Sequence, residues 1–345
     1  MNAQNIENTP KITKESKNKI RVEFDRLPLK ERLKAKFINL NFLKTVVWAI
    51  FRYVLLIGIS YIVLFPFFSK IAGSFMGQAD FIDVTVRLIP KNFTLDTYKA
   101  IFIENGYMEA FLNTLLLSGI SALIQTFICA LIAYGFAKFK FKGNTILFGL
   151  VLLTMIVPHS TLRLSMQMTF QNFDIFGIIG LFNGGKGISL KDSFWPWIIL
   201  SLGGLAFKNG LYIFLLRQFF RGVPDELEES AYIDGSGVFR TFVQIILPLS
   251  VPMLITVFLF SFSWQWTDNF YVNLFYSANN PTVLMPDLLT VPLSLSTPNT
   301  FAGKALYDSA IVNTAGLMII LPLIIMYVFC QNFLVQGIER SGITG

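Results

Sequence analysis

The chain is poor in the residue types on which most protein chemistry depends. It holds a single histidine, His159, and two cysteines, Cys129 and Cys330, in 345 residues. One imidazole cannot assemble a metal site or a proton relay by itself. Both cysteines fall within apolar runs, without the spacing of a metal site or a disulfide framework, and read as small core residues. Charge is scarce as well: Asp, Glu, Lys and Arg make up 14% of the chain, against about a quarter in an ordinary soluble domain. No apolar run carries an acid near its middle, which argues against a secondary carrier driven by protons or sodium. Scattered acids and one histidine do not make a clustered catalytic site at a lipid boundary. A glycine-rich loop ending in Lys and Ser/Thr is missing too, which excludes a P-loop nucleotide site in this chain. No catalytic residue, metal or cofactor is expected.

What the sequence has instead is apolar length. Hydrophobic residues make up 54% of it and aromatics 15%. Six runs, at about 48 to 72, 111 to 137, 144 to 164, 195 to 216, 249 to 270 and 311 to 333, are predominantly apolar over about 20 residues, the length that crosses a bilayer. The expected fold is an all-α membrane protein with six transmembrane helices and both ends on one side, and the first run is expected to serve as the membrane-targeting signal.

Charge distribution orients these runs. Eleven Lys and Arg against five acids precede the first run, and basic residues beside a first span hold that end in the cytoplasm. The loop Lys138-Phe-Lys-Phe-Lys142 and the pair Arg217 and Arg221 belong inside by the same rule. The net charge of +7 is thereby explained without a nucleic acid. Residues 1–44 form a basic tail whose first half is too polar to repay the entropy of folding. Nearer the membrane, Leu27, Leu33, Phe37, Ile38 and Leu40 alternate with cations, which suits either a helix at headgroup depth or a solvated tail. Residues 45–345 form one membrane domain, with an inner loop at 217–248 and a C-terminal tail at 334–345. On the outer side, Thr94 is placed to cap a short helix, and Pro281, Pro286, Pro292 and Pro298 exclude a long helix in the last loop.

The inner loop is the informative stretch. It reads Arg217-Gln-Phe-Phe-Arg-Gly-Val-Pro-Asp-Glu-Leu-Glu-Glu-Ser-Ala-Tyr-Ile-Asp-Gly235 and continues to Ile245-Ile-Leu-Pro248. Pro224 suits the first turn of a helix, and Asp225, Glu226, Glu228 and Glu229 lie where the helix dipole favours negative charge. Gly235 is placed to end that helix at positive φ. The prediction is a short acidic helix, a glycine turn, and a second helix from about Val238 that reaches the membrane at Leu247-Pro248. Five acids, counting Asp234, in a loop otherwise set by cations suggest a docking surface for a basic partner groove.

The spacing Glu229-Ser230-Ala231, then Gly235, then Ile245-x-Leu247-Pro248 resembles the E-A-A-x3-G-x9-I-x-L-P loop of ATP-binding-cassette import permeases, with Ser230 where the first alanine stands. Phe214-Leu-Leu-Arg-Gln-Phe-Phe220, Leu247-Pro-Leu249 and the ending Gln331-Asn-Phe-Leu-Val-Gln-Gly337 are similar to carbohydrate permeases of the maltose type, over roughly residues 48 to 345. The resemblance implies a permease subunit of a bacterial importer, multi-pass in the cytoplasmic membrane, carrying a sugar or oligosaccharide. It also implies as partners a second, unlike permease, two ATPase subunits and an extracellular binding protein. Pro224, Glu226, Glu228, Glu229, Ser230, Ala231, Asp234, Gly235, Ile245, Leu247 and Pro248 would form the contact that couples to the ATPase. The C-terminal tail would reach toward the ATPase interface, although it ends Gly342-Ile-Thr-Gly345 without the lysine common in that family. Importers of peptides, polyamines or amino acids share the loop and are the closest competing reading.

Other residues are candidates for the translocation path. Lys208 interrupts the fourth run, where a cation costs about 2.5 to 3.5 kcal/mol. With Asn209 it reads either as a path or partner-subunit contact or as a side chain that snorkels to an interface. Trp264, Trp266, Asp268 and Asn269 have the ring-plus-polar character that suits a sugar, although tryptophans near a membrane surface more often serve as a belt. His159 reads as a plain interfacial residue, and Gly203-Gly204 as close helix packing.

Overall fold

The computed structural model describes residues 11–15, 19–23, 40–277, 280–296 and 301–342, with side chains among those from 44 to 337. Two units divide the chain, Met1–Phe68 and Ser69–Gly345. In the first, strands β1 (Lys11–Glu15) and β2 (Lys19–Glu23) pair antiparallel, with Lys11 opposite Glu23 and Glu15 opposite Lys19. The tail's composition predicts disorder there, but alternation of Ile20 and Val22 with charged residues has the period of a strand, and opposite charges sit across both ends of the register. The stretch proposed for headgroup depth lies mostly within 24–39, outside the described residues.

Helix α1 (Leu40–Ser74) begins in the first unit and ends in the second. It is apolar on every side, and Trp48, Ile57, Ile62 and Phe68 are each more than half exposed. Such a helix has no face for water and is stable only where hydrocarbon surrounds it.

The second unit is organised around α2 (Tyr107–Lys138). One face of α2 is built from small residues: Ala110, Ser118, Ser121, Ala122, Ala130 and Ala133 have no exposed surface. Small side chains let neighbouring backbones approach, which is how helices associate when lipid removes the hydrophobic incentive. Against α2 pack α5 (Trp195–Leu202), α6 (Asn209–Arg221) and α9 (Val251–Trp266). A buried polar link ties three of these elements together: Gln125 Nε2 donates to Ser201 Oγ at 3.2 Å, and Ser261 Oγ donates to Gln125 Oε1 at 3.0 Å. Both ends of the Gln125 amide are thereby satisfied, as burial requires.

Among the described residues three helical segments, Lys44–Ser74, Tyr107–Lys138 and Lys304–Gly337, are long and apolar enough to cross a membrane alone, and two bent pairs would raise the number to five. Three of the six expected runs are interrupted in the fold. The third run divides into α3 (Asn144–Ile156) and a segment continuing through α4 (Arg163–Gln171), bent by 92°. Pro158 lacks an N–H and pushes Val157 out of the helical region, to ψ 118°. The fourth run breaks between Leu202 and Asn209, where Gly204 and Lys208 both have φ +67°. Gly204 also lies close to α2, where an added Cβ would meet Ile132 at 3.0 Å, so the packing predicted for the glycine pair accompanies a turn. The fifth run starts with an 81° bend at Ser250 between α8 (Val238–Leu249) and α9. It ends at Trp266, before the short helix α10 (Phe270–Phe275).

The helix near Thr94 spans Asp96–Glu104, and Thr94 Oγ1 accepts from the Asp96 N–H at 3.1 Å. Among its described residues the proline-rich last loop forms a 3-10 turn, Met285–Leu288, and Leu284, Met285 and Leu288 are buried. Helix α11 (Lys304–Gly342) closes the unit against α9. Thr256 Oγ1 donates to Pro252 O at 2.9 Å and reaches Phe333 O at 3.4 Å. Gly337 lies directly on this point: an added Cβ would collide with Thr256 Oγ1 and meet Pro252 O at 3.1 Å. Gly337→Val is therefore expected to separate α9 from α11 at a cost of about 1–3 kcal/mol, read as a lowered melting temperature in detergent. Gly337→Ala should lie between Gly337→Val and the native chain.

Candidate functional site

The loop at 217–248 contains a short helix held at both ends. Helix α7 (Glu226–Ile233) starts two residues later than Pro224 predicts, because Asp225 is the residue at its N-terminal boundary. The Asp225 carbonyl accepts from both Glu228 N and Glu229 N at 3.0 Å. At the other end, Ser236 N donates to Ala231 O at 2.9 Å and Gly235 N to Tyr232 O at 3.1 Å. This is the Schellman pair of bonds, which requires a left-handed residue at the turn, and Gly235 supplies it at φ +81°.

The residues of α7 divide by face. Glu228 and Ala231 are buried, whereas Glu226, Glu229, Ser230 and Ile233 point away from the protein body, Ile233 being 86% exposed. The expectation that all the loop acids form one docking surface is corrected in two places. Glu228 turns inward beside the Tyr134 hydroxyl of α2. Asp225 is taken by an ion pair within the chain. Glu226, Glu229 and Asp234 remain exposed, with no ion pair among the described residues. Ser230 fits because its Oγ donates to Glu226 O at 2.7 Å, so the hydroxyl is satisfied within the helix. Leu227, Val238 and Phe239 add exposed apolar surface, giving an outward face that mixes acid and hydrocarbon.

Beyond the turn, the second predicted helix is present as α8. It contains a π-helical stretch, Phe242–Ile246, that places Phe242 and Ile246 in the core. Ile245 and Leu247 pack on the same cluster, around Tyr212, Leu216 and Met253, and Pro248 is exposed. The motif positions thus separate physically: Glu229 faces outward, Ala231 is buried, Gly235 makes the turn, and Ile245 and Leu247 fix the far end.

Sequence reasoning missed Lys138, the last residue of α2. Its ammonium donates to Val223 O and to Asp225 Oδ1, both at 2.6 Å, and its side chain is only 6% exposed. The lysine thus pins the start of the loop to the central helix. Its hydrogen bond holds the Asp225 carboxyl below the ordinary aspartate value, with Lys138's charge adding to the effect. Nothing local in the sequence announces a partner 87 residues away; the only signal is a lysine that closes a long apolar run.

The path candidates differ in their surroundings. Lys208, at the break in the fourth run, holds its ammonium over the rings of Phe207 at 4.8 Å and Trp264 at 4.9 Å. His159 stands edge-on to Phe207 at 4.6 Å. Asp268 Oδ1 accepts from Phe270 N at 2.9 Å and Tyr271 N at 3.2 Å, and so caps α10. Asn269 is exposed and bonded to Asn273. Trp266 is corrected on both readings, belt and path: it is wholly buried, and its Nε1 donates to Ile319 O at 2.9 Å, locking α9 to α11. Asn209 is 2% exposed and neither amide atom has a partner.

These features are those of a helical membrane subunit whose loop between α6 and α9 carries a short, partly acidic helix. Residues 125–340 match the family described as binding-protein-dependent transport system inner membrane component. The chain belongs to that family. It is 30% identical over 280 residues to the alpha-glucoside transport system permease protein AglG of Rhizobium meliloti (strain 1021), covering 80% of this chain and 66% of AglG. It is 27% identical over 300 residues to the galactooligosaccharides transport system permease protein GanQ of Bacillus subtilis (strain 168), covering 86% and 95%. In fold it is similar to a chain of a bacterial ABC transporter involved in the import of the acidic polysaccharide alginate. That likeness has a TM-score of 0.62 at 21% identity and covers 84% of this chain and 97% of the other. The family is a membrane subunit without an ATPase site of its own.

Lys138→Met is expected to free the loop start, at a cost of about 1–2 kcal/mol for the lost charged hydrogen bonds. The readout is faster backbone hydrogen exchange across residues 223–229. Because the Asp225 carboxyl is lowered in the folded chain, the pin is complete above the ordinary aspartate value and weakens only as pH falls through the lowered one. Protection of this loop should therefore be unchanged from neutrality down to about pH 5.

Proposed function

We propose that the chain is one of two permease subunits of an ATP-driven importer for a sugar or small oligosaccharide, crossing the membrane six times with both termini in the cytoplasm. The observation that carries this reading is α7, a short helix whose outer face is acidic and apolar and whose ends are tied to the membrane body. A lever must be stiff to transmit force, and here Lys138, the Schellman turn and the packed Ile245 and Leu247 supply the stiffness. Two ATPase subunits closing on ATP would push on Glu226, Glu229 and the neighbouring apolar side chains, and the spans would rock as rigid bodies. Pro224, Ser230, Ala231, Asp234 and Pro248 belong to the same coupling element as its frame. Cargo would arrive on an extracellular binding protein and pass between this chain and a second, unlike permease.

The sugar assignment is supported by the relatives, which are named for alpha-glucosides and galactooligosaccharides. It is also consistent with Lys208 and the half-exposed Trp264 at an interrupted span. Non-helical backbone at membrane depth is tolerated only where protein covers it or water reaches it. Lys208 and its ring partners are the residues of this chain proposed to face the path, with Asn209, Asp268 and Asn269 supporting the breaks beside it.

Gly235→Leu tests the lever. The left-handed turn makes any L side chain cost about 1–2 kcal/mol, which is enough to reset the turn without expelling the protein from the membrane. Expected are normal membrane levels, copurifying ATPase, and uptake in vesicles reduced at least tenfold per ATP hydrolysed. Normal coupled uptake, or no ATPase on the native chain, would overturn the reading. Lys208→Met should lower uptake while leaving ATPase binding intact; unchanged transport removes Lys208 from the path.

A further inference from the structure

At the same end of the membrane body as α7 lies a groove that the coupling reading does not use. Its cations are Lys140 and Lys142, from the turn between α2 and α3, and Arg217 and Arg221, from the last turns of α6. The rings of Phe139 and Phe141 line it as well, each about two-fifths exposed (41% and 43%). No acidic residue lines the groove, and none of the four cations has an ion pair among the described residues. Lys140 acts electrostatically on the Asp225 carboxylate, which is already bonded to Lys138.

The turn is fixed: Asn144 Nδ2 donates to Phe139 O at 3.0 Å and reaches Phe136 O at 3.4 Å. Arg217 is fixed as well, its guanidinium lying 3.9 Å from the centre of the Phe148 ring, and Arg221 is close enough to act on it electrostatically. A topology signal alone would be satisfied by cations spread anywhere along the loops. Gathering four like charges around one aromatic-floored groove costs repulsion unless an anion shares it. The adjoining surface of α3 is hydrocarbon, with Ile146 73% and Leu150 53% exposed. An anion bound here would therefore have acyl chains at its side.

We propose that this groove binds the phosphodiester headgroup of an anionic phospholipid of the inner leaflet, with its acyl chains lying along α3. The proposal rests on this end of the chain facing the cytoplasm, where anionic lipid attracts juxtamembrane cations at about 1 kcal/mol each. Arg217 and Arg221 offer planar donor forks to the phosphate, and the two lysines add point charge.

The test uses the full chain as isolated from the membrane, placed in nanodiscs of equal parts phosphatidylglycerol and phosphatidylcholine. Lipid retained on gentle extraction is identified by native mass spectrometry. Native protein is expected to retain phosphatidylglycerol over phosphatidylcholine. In the double variant Lys142→Gln, Arg221→Gln that preference should fall at least tenfold, as the loss of two such charges implies. Lys99→Gln, an exposed outer cation, serves as the control and should change nothing. Equal retention of the two lipids by native protein, or an unchanged preference in the double variant, would overturn the proposal. So would displacement of the lipid by millimolar inorganic phosphate, which would identify a free-anion site, or loss of copurifying ATPase in the double variant, which would identify a protein contact. The measurement needs no cargo, ATP or defined orientation, so its failure leaves the coupling reading standing, and failure of coupling leaves the lipid result interpretable.

Discussion

The second unit depends on the close approach that α2 allows. A membrane interior offers no gain from burying one hydrocarbon against another, so helices must be held by contact quality and by polar links. The small-residue face of α2 provides the contact, and Gln125, bonded to Ser201 and Ser261, provides the link. Because α5, α6 and α9 all pack on this helix, the breaks in the runs that contain them are tolerated. At the break in the fourth run, Gly204 sits against Ile132 of α2.

The loop between α6 and α9 inherits its position from the same helix. Lys138 closes α2 and holds Val223 and Asp225, and Tyr134, one turn earlier, lies against Phe242 at 4.8 Å. One helix thus touches the loop at its entry and again beyond the glycine turn. In the proposed coupling role, a push on α7 would be delivered to the element around which the membrane body is built, as rigid-body transmission requires.

Much of this was legible in the sequence, and what was not has a common cause. Apolar run length located the segments, and the glycine spacing located the turn at Gly235, because both are local properties of the chain. The interruptions at Pro158 and Gly203-Gly204 were visible as residues but not as breaks. Apolar composition is blind to backbone direction, and proline and glycine also occur in continuous spans. Which loop acids face outward could not be read from a run such as Glu226-Leu-Glu-Glu229, since the face is set by what α7 packs against. Lys138 with Asp225 and Trp266 with Ile319 join residues far apart in sequence, and only the tertiary fold brings them together. Trp266 carried the right chemistry for a sugar platform, but its ring was needed inside.

The open surroundings of Gly235 carry a consequence of their own. An added Cβ there would meet no atom within 4 Å, so crowding does not exclude other residues. What excludes them is the sign of a single torsion angle. The position selects for handedness, and a D-alanine, mirror image of the residue it refuses, would fit the turn as readily as glycine does.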